Sequence, residues 1–220
     1  MRFIVPLIFG LAGFAVLVAL GLWQLQRMEW KHGMIAAIEA RIGAAPVPLP
    51  DTVEEAADNF TPVTLTGTID GEPLRVLGAW RGGGSGYRIV APVLTEGRRV
   101  MVDLGVVPLD GAADLVLPQT ALAISGTLNW PDDHNAGTPE PDGLDWYARE
   151  VGPMATALDT EPLMVVATQV EPPLPVTPIP VGVEGIPDNH LGYAIQWFGL
   201  AAVWLGMTLF LLWRIRRRTL

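Results

Sequence analysis

Residues Phe3 to Leu25 read FIVPLIFGLAGFAVLVALGLWQL, a run of 23 positions without a charged side chain. A second uncharged run, from Tyr193 to Trp213, reads YAIQWFGLAAVWLGMTLFLLW. As α-helices, with a rise of about 1.5 Å per residue, both runs are long enough to cross a hydrocarbon core about 30 Å thick. The sequence therefore predicts a membrane protein with two transmembrane helices, one over residues 3–25 and one over residues 191–213.

The charges predict how the chain is oriented in the membrane. The segment between the runs holds all 23 acidic residues and 9 of the 14 basic ones. The tail, residues 214–220, holds four arginines and no acid, so the positive-inside rule places both termini in the cytoplasm. A cleavable signal has a shorter apolar core of about 7–15 residues, which favours an uncleaved first helix. We expect a two-pass protein of the bacterial plasma membrane with a periplasmic main domain.

The segment between the runs, residues 26–190, has the pattern of a mainly β domain. Apolar side chains recur with a period of two residues over residues 63–69, 100–106 and 122–128, and residues 88–94 and 163–170 add two apolar runs. This pattern predicts an antiparallel sheet or a small open barrel. The sequence also predicts a helical continuation of the first span over Trp30 to Ile42, a helix near Trp146 to Leu158, and a Pro-rich extended arm over residues 171–187.

Several chemistries are excluded or disfavoured by composition. The chain has no cysteine, which removes disulfides, thiolate metal sites and cysteine nucleophiles. Its three histidines, His32, His134 and His190, are far apart in sequence, and we find no nucleophile–base pair, so the protein is predicted not to be an enzyme. A membrane-tethered periplasmic enzyme is kept as a third class. The acidic balance also predicts that nucleic acid is not a partner.

Polar and aromatic residues are concentrated where both helices meet the predicted outer membrane boundary. Interfacial anchoring alone accounts for much of this enrichment. Alternatively, the spacing from His190 to Tyr193, Trp197 and Trp204 places these residues on one helix face suited to a partner. An imidazole, large rings and a nearby arginine are also the ingredients of a haem site. The boundary residues are Trp23, Gln24, Arg27 and Trp30 of the first helix and Asn189, His190, Tyr193, Gln196 and Trp197 of the second.

Small and amide side chains predict how the two helices pair. On the second helix, three glycines recur every seven residues and would let another helix approach closely, against three glycines of the first. The amides of Gln24 and Gln196 lie where they need internal partners. The glycines are Gly192, Gly199 and Gly206 of the second helix and Gly10, Gly13 and Gly21 of the first.

Several motifs are distributed along nearly the whole chain. They are Gly21-Leu-Trp-Gln-Leu-Gln-Arg27 with Trp30-Lys31, Gly86-Tyr87, Ala91-Pro92-Val93, Gly105-Val-Val-Pro108, Trp146-Tyr147-Ala-Arg149, and Asn189-His190-Leu-Gly-Tyr193-Ala-Ile-Gln196-Trp197-Phe198. In these motifs and their order, the chain resembles the surfeit locus family of cytochrome c oxidase assembly proteins. The chain departs from the family's pattern in two segments. Where the family usually reads N-R-G-W-V-P, residues 103–108 read DLGVVP, so Leu104 stands in place of an arginine and Val106 in place of a tryptophan, and Glu150 stands where an aspartate is usual. We interpret the first departure as divergence of the exposed periplasmic surface, since Leu104 cannot supply a charge to a partner.

The resemblance implies a non-catalytic factor that binds haem a, or assists its insertion into the catalytic subunit of cytochrome c oxidase. The implied partners are that subunit, haem a synthase and the lipid bilayer. His190 would be the axial ligand, with haem iron the only metal, and Arg27 would pair with a propionate. Trp23, Tyr193 and Trp197 would form the walls, while Gln24, Trp30, Lys31, Asn189 and Gln196 belong to the family motifs. The alternative is a structural accessory subunit that stays bound to the oxidase without binding haem.

Overall fold

The protein is described from a computed structural model, which covers residues 3–80, 84–112, 115–183 and 186–217. The chain divides into two compact units, residues 38–182 and the terminal segments 1–37 and 183–220. The helices are α1 Ile4–Ile42, α2 Glu55–Asp58, α3 Val151–Leu158 and α4 His190–Arg217. The strands are β1 Val47–Pro48, β2 Pro62–Ile69, β3 Leu74–Trp80, β4 Gly84–Thr95, β5 Arg98–Pro108, β6 Leu122–Leu128, β7 Asp145–Trp146 and β8 Met164–Glu171.

The two terminal helices are those expected from the uncharged runs. Helix α1 is continuous over 39 residues, because the predicted first span and the helical stretch after it form one element. Helix α4 has 28 residues and ends in a turn that carries Arg214, Arg216 and Arg217. The most apolar windows of α1 and α4 are only 11% and 6% buried, unlike the core helix of a soluble domain. By length and composition, both helices can cross a membrane.

The described part of the central unit forms a closed five-stranded barrel with three additional short or edge strands. Its strands follow the order β2–β6–β8–β5–β4, and β4 returns to β2 through the pairs Thr68 with Leu94 and Ile69 with Val93. The strands β4 and β5 are joined by a tight hairpin in which Glu96 and Gly97 both have positive φ, the geometry of a type I′ turn. The predicted mainly β domain is therefore confirmed.

Three details of the prediction need correction. The sheet is mixed, because β5 and β8 pair in parallel, as do β1 with β2 and β3 with β7. The barrel is closed rather than open. The helix expected from Trp146 begins only at Val151, since Trp146 lies in β7 beside β3 and its side chain packs with the core.

Both faces of the central strands are buried, which explains their nearly continuous apolar sequence. On β5, Val100 and Val102 point into the barrel, whereas Met101 between them packs outside against α3. Strand β8 repeats this arrangement, with Val165 inside and its two neighbours outside. Helix α3 thus covers a second apolar layer on the outer face of the barrel. Burial of this kind stabilises by roughly 25 cal/mol per Å² of apolar surface.

The first half of the Pro-rich segment lies against the barrel. Leu174 and Val176 pack on the barrel core, and Thr177 exchanges two backbone hydrogen bonds of 2.8 Å with Val106 of β5. This close approach occurs beside Gly105, whose φ is +125° and whose side-chain position is occupied by the backbone of Thr177 and Pro178. Glycine is required there for both reasons.

Replacement of Gly105 by alanine should therefore destabilise the barrel by about 3 kcal/mol, because strain at positive φ and a clash with backbone atoms act together. Gly152→Ala is the matched control: Gly152 lies in α3 with nothing within 4 Å of its side-chain position. Alanine should be neutral or slightly stabilising there. Hydrogen exchange of the β5 and β8 amides in the detergent-purified full chain measures both effects. Equal protection of these amides in the two variants would contradict the requirement for glycine at Gly105.

Candidate functional site

Helices α1 and α4 pack together through small residues of α1. A side chain at Gly13 would meet the Trp204 ring at 2.5 Å, and one at Gly21 would meet the Phe198 ring at 2.6 Å. Gly10 is likewise covered by Thr208, and its carbonyl accepts a 2.9 Å hydrogen bond from Trp204 Nε1. The glycines of the first helix therefore have the packing role that the sequence predicts.

The glycine stripe of α4 does not have that role, and this part of the prediction is wrong. Gly192, Gly199 and Gly206 have open space where a side chain would be. The small residues of α4 that are buried are Ala194 and Ala201. These alanines lie two positions further along the helix, which is a rotation of about 200° at 3.6 residues per turn. Both stripes repeat every seven residues, so spacing alone could not show which one faces α1.

Part of the aromatic face of α4 is occupied by α1 itself. His190, Trp197 and Trp204 are half-buried, and Trp204 is bound to Gly10 as described above. Tyr193 is 51% exposed and lies at the margin of this face. The face expected to receive a partner is therefore used partly for the contact between the two helices.

His190 is the first residue of α4 and is hydrogen-bonded to α1. Its ring nitrogen Nδ1 lies 2.9 Å from Oε1 of Gln24, in a partly buried contact between residues 166 positions apart. This bond supplies the internal partner that the sequence predicts for the Gln24 amide. The other amide of that prediction, Gln196, is exposed. The structure thus brings together two of the predicted site residues, His190 and Gln24.

The segment before α4 is fixed to α1 by a second set of contacts. Asp188 Oδ2 lies 2.6 Å from His32 Nε2, and Asp188 Oδ1 is 3.5 Å from the backbone N–H of His190. Lys31 donates a hydrogen bond from Nζ to the carbonyl of Pro187. The hydrogen bond from His32 is the main reason that the pKa of the Asp188 carboxyl is below its ordinary value.

Sequence reasoning missed His32 and Asp188 as members of this cluster. Their separation of 156 residues leaves no local motif, and Asp188 is one of many acids in an acidic segment. Lys31 was identified only through its motif. The one available signal was an aspartate two residues before the first residue of α4, close to the unpaired backbone N–H groups of a helix start.

The other predicted site residues lie on the surfaces of the two helices. Trp23 and Trp30 expose 54% and 55% of their area, and the Arg27 guanidinium lies 4.2 Å above the centre of the Trp30 ring. Asn189 is exposed, and its carbonyl accepts the backbone N–H of Tyr193 at 3.2 Å. Across the described ranges, no hydrogen bond or ring contact joins Arg27 to His190. The wall and propionate roles remain predictions.

A haem group needs fewer protein ligands than a bare metal ion does. In the part of the chain that the structure describes, no three acidic or histidine side chains are grouped to hold a metal. A haem supplies four of its own nitrogens to the iron and needs only one or two protein ligands. The half-buried imidazole of His190, whose Nδ1 is already hydrogen-bonded, is a candidate for one such ligand.

The barrel contains a separate cluster of charges around Asp103. This aspartate is completely buried, and its Oδ2 lies 2.5 Å from Arg88 Nη1 and 3.5 Å from Arg149 Nη1. Arg149 also bonds Asp133 at 2.7 Å. Leu104, the next residue along β5, is fully buried inside the barrel. Our interpretation of Leu104 as part of a diverged exposed surface is therefore wrong.

Together, these features define a class of protein: a small mixed β-barrel that lies in sequence between two long apolar helices, with one oriented histidine at the start of the second helix. The chain belongs to the SURF1 family, whose model matches residues 11–202. The family resemblance read from the motifs is thereby confirmed.

Individual relatives extend the comparison to named proteins. The chain is 28% identical to Surfeit locus protein 1 of Homo sapiens over 221 residues, which cover 83% of this chain and 69% of that protein. It is 26% identical to the SURF1-like protein of Drosophila melanogaster over 215 residues, covering 86% and 71% of the two chains. Over 92 residues it is 33% identical to the cytochrome oxidase assembly protein SHY1 of Saccharomyces cerevisiae, covering 39% and 24%.

Proposed function

We propose that this protein is an assembly factor for haem–copper cytochrome c oxidase, which binds haem a and assists its insertion into the catalytic subunit. Family membership supports the assembly role, because one relative is named for cytochrome oxidase assembly. The observation that carries the haem step is the hydrogen bond between His190 Nδ1 and Gln24 Oε1. It holds a half-buried imidazole in a fixed orientation where the second apolar helix begins.

The proposed setting is the bacterial plasma membrane, crossed twice, with both termini cytoplasmic and the barrel periplasmic. The exposed apolar surfaces of α1 and α4 favour insertion into lipid, and the arginines in the last turn of α4 favour a cytoplasmic C-terminus. In this orientation His190 lies at the outer boundary of the membrane. Haem a carries a long hydrocarbon tail, so a site at this boundary lets the tail remain in lipid.

The roles of the chain's own residues follow from this arrangement. His190 would hold the iron through Nε2, and Gln24 and Asp188 fix its ring and backbone. Arg27 would pair with a propionate, and Trp23, Tyr193 and Trp197 would provide apolar walls. Bound haem a would supply the redox chemistry only after its transfer to the oxidase, so the proposed role of this protein is non-catalytic. Haem a synthase is proposed as the source of the haem.

The role is tested in cells from which this protein has been removed. We expect the purified oxidase catalytic subunit to lose most of its haem a, and the full-length wild-type chain to restore it. Normal haem a content in the absence of the protein would overturn the proposed function.

A second candidate function is that of a structural accessory subunit. The observation that favours it is the exposed stripe of Gly192, Gly199 and Gly206, because open glycine surfaces allow another helix to pack closely. This candidate predicts a colourless isolated protein and one copy per purified oxidase. A substoichiometric, transient association would contradict it.

A further inference from the structure

We infer that Gln24 is a positioning residue, which holds the proton of the His190 imidazole on Nδ1 and so presents Nε2 as the ligand atom. This inference rests on the proposed function for its purpose. It concerns a contact inside this chain, however, and that contact can be tested without haem.

The chemistry of the two side chains determines where the proton lies. A glutamine Oε1 only accepts hydrogen bonds, so the ring nitrogen 2.9 Å from it must be the one that donates. A neutral imidazole has a single N–H, and its second nitrogen then carries the lone pair. With Nδ1 donating to Gln24, the lone pair of His190 is on Nε2. Only a nitrogen with a lone pair can bind iron.

The packing of the helices keeps Gln24 in place. Gln24 lies three residues after Gly21, which is buried against the Phe198 ring, so both residues share the face of α1 that meets α4. Gly13 and Trp204 fix the same register further along the pair. The Gln24 amide therefore contacts His190 from the packed face of a helix and not from a mobile loop.

A second contact orients the backbone of His190. Its N–H lies 3.5 Å from Asp188 Oδ1, and the same carboxylate is bound by His32 of α1. Residues of α1 thus hold both parts of His190: Gln24 bonds its ring, and His32 fixes the carboxylate that lies beside its backbone N–H. In haem and metal sites, partners of this kind fix the ligand's tautomer and tune its basicity, and their loss lowers affinity by about 10- to 100-fold.

The first test determines the tautomer in the full chain without haem. The ¹⁵N spectrum of labelled imidazoles in detergent, at a pH where ordinary imidazoles are neutral, should show His190 protonated on Nδ1. Gln24→Leu should shift it toward the Nε2–H form, which unbound histidine prefers in water. Gln26→Leu is the matched control, since Gln26 is exposed on the same helix. A wild-type His190 protonated on Nε2, or an unchanged tautomer in Gln24→Leu, would overturn the inference.

The second test uses the haem-loaded full chain. Gln24→Leu should weaken haem a binding by about 10- to 100-fold, whereas Gln26→Leu should leave it unchanged. Gln24→Glu keeps an acceptor and strengthens the pull on the Nδ1 proton, so haem should bind and its reduction potential should fall. A merely structural glutamine would not give this change in potential. If Gln24→Leu and Gln24→Glu bind haem with wild-type affinity and potential, the inference fails while the proposed function stands.

The two tests also separate the inference from the proposal on which it rests. A wild-type chain that shows the Nδ1–H tautomer but binds no haem a overturns the proposed function, although the contact with Gln24 holds. A chain that binds haem a through His190 without any influence of Gln24 retains the function and overturns the inference.

Discussion

Replacement of His190 by alanine is expected to weaken haem a binding by the full chain by more than about 100-fold, beyond the loss expected for an outer partner such as Gln24. The reason is that this substitution removes the ligand nitrogen itself. The measurement is a titration of the detergent-purified protein with haem a, followed by its absorption spectrum. In cells, the same variant should leave the oxidase catalytic subunit deficient in haem a.

The control for this substitution is His134→Ala. His134 lies in the barrel unit, is half-exposed and is paired with Glu150 at 2.8 Å, so its loss should leave haem binding unchanged. Helix content, measured by circular dichroism, should be equal in both variants because neither side chain is needed for the glycine packing of α1 against α4. Wild-type haem affinity in His190→Ala would show that the ligand assignment is wrong.

Replacement of Asp103 by alanine is expected to lower the free energy of unfolding of the barrel by about 3–5 kcal/mol, since removing one partner of a buried ion pair leaves uncompensated charge. The side chains of Arg88 and Arg149 are only 18% and 20% exposed, and the guanidiniums of both lie within 3.5 Å of this carboxylate. Its other oxygen accepts the backbone N–H of Gly105 at 3.2 Å. The substitution therefore leaves several polar groups without their partner.

The matched control is Asp145→Ala, which removes a more exposed ion pair. The side chains of Arg75 and Asp145 are 39% and 36% exposed, and Nε of Arg75 lies 2.7 Å from Oδ1 of Asp145. The free energy of unfolding should therefore fall by less than about 1 kcal/mol. Hydrogen exchange of β4 and β5 amides in the full chain measures both variants. If Asp103→Ala lowers the free energy of unfolding no more than Asp145→Ala does, the buried cluster does not stabilise the barrel in the way described.

The terminal helices and most strands could be predicted from the sequence because their signals are local. An uncharged run of sufficient length, or alternation with period two, is contained in one segment of chain. Barrel closure has no such signal. It depends on two residue pairs between β2 and β4, Thr68 with Leu94 and Ile69 with Val93, and on the parallel pairing of β5 with β8. These pairings join segments that are distant in sequence, so composition and turns could not reveal them.

The candidate site was predictable to a similar extent. The need of the Gln24 amide for an internal partner could be argued from its position near a membrane, and His190 could be identified from the motif at the start of α4. That these two residues are partners depends on the register of α1 against α4, which the glycines of α1 set. The pair His32 and Asp188 depends on the same register. No periodicity in either helix contains that information.

The central claim is that this protein binds haem a at the start of α4, and the optical spectrum of the wild-type protein tests it most directly. The full chain is produced in a host that makes haem a, purified in detergent, and its haem a content is measured relative to protein. The account predicts a coloured protein with a haem a band and close to one haem a per chain. A colourless wild-type protein that also fails to take up added haem a would contradict it.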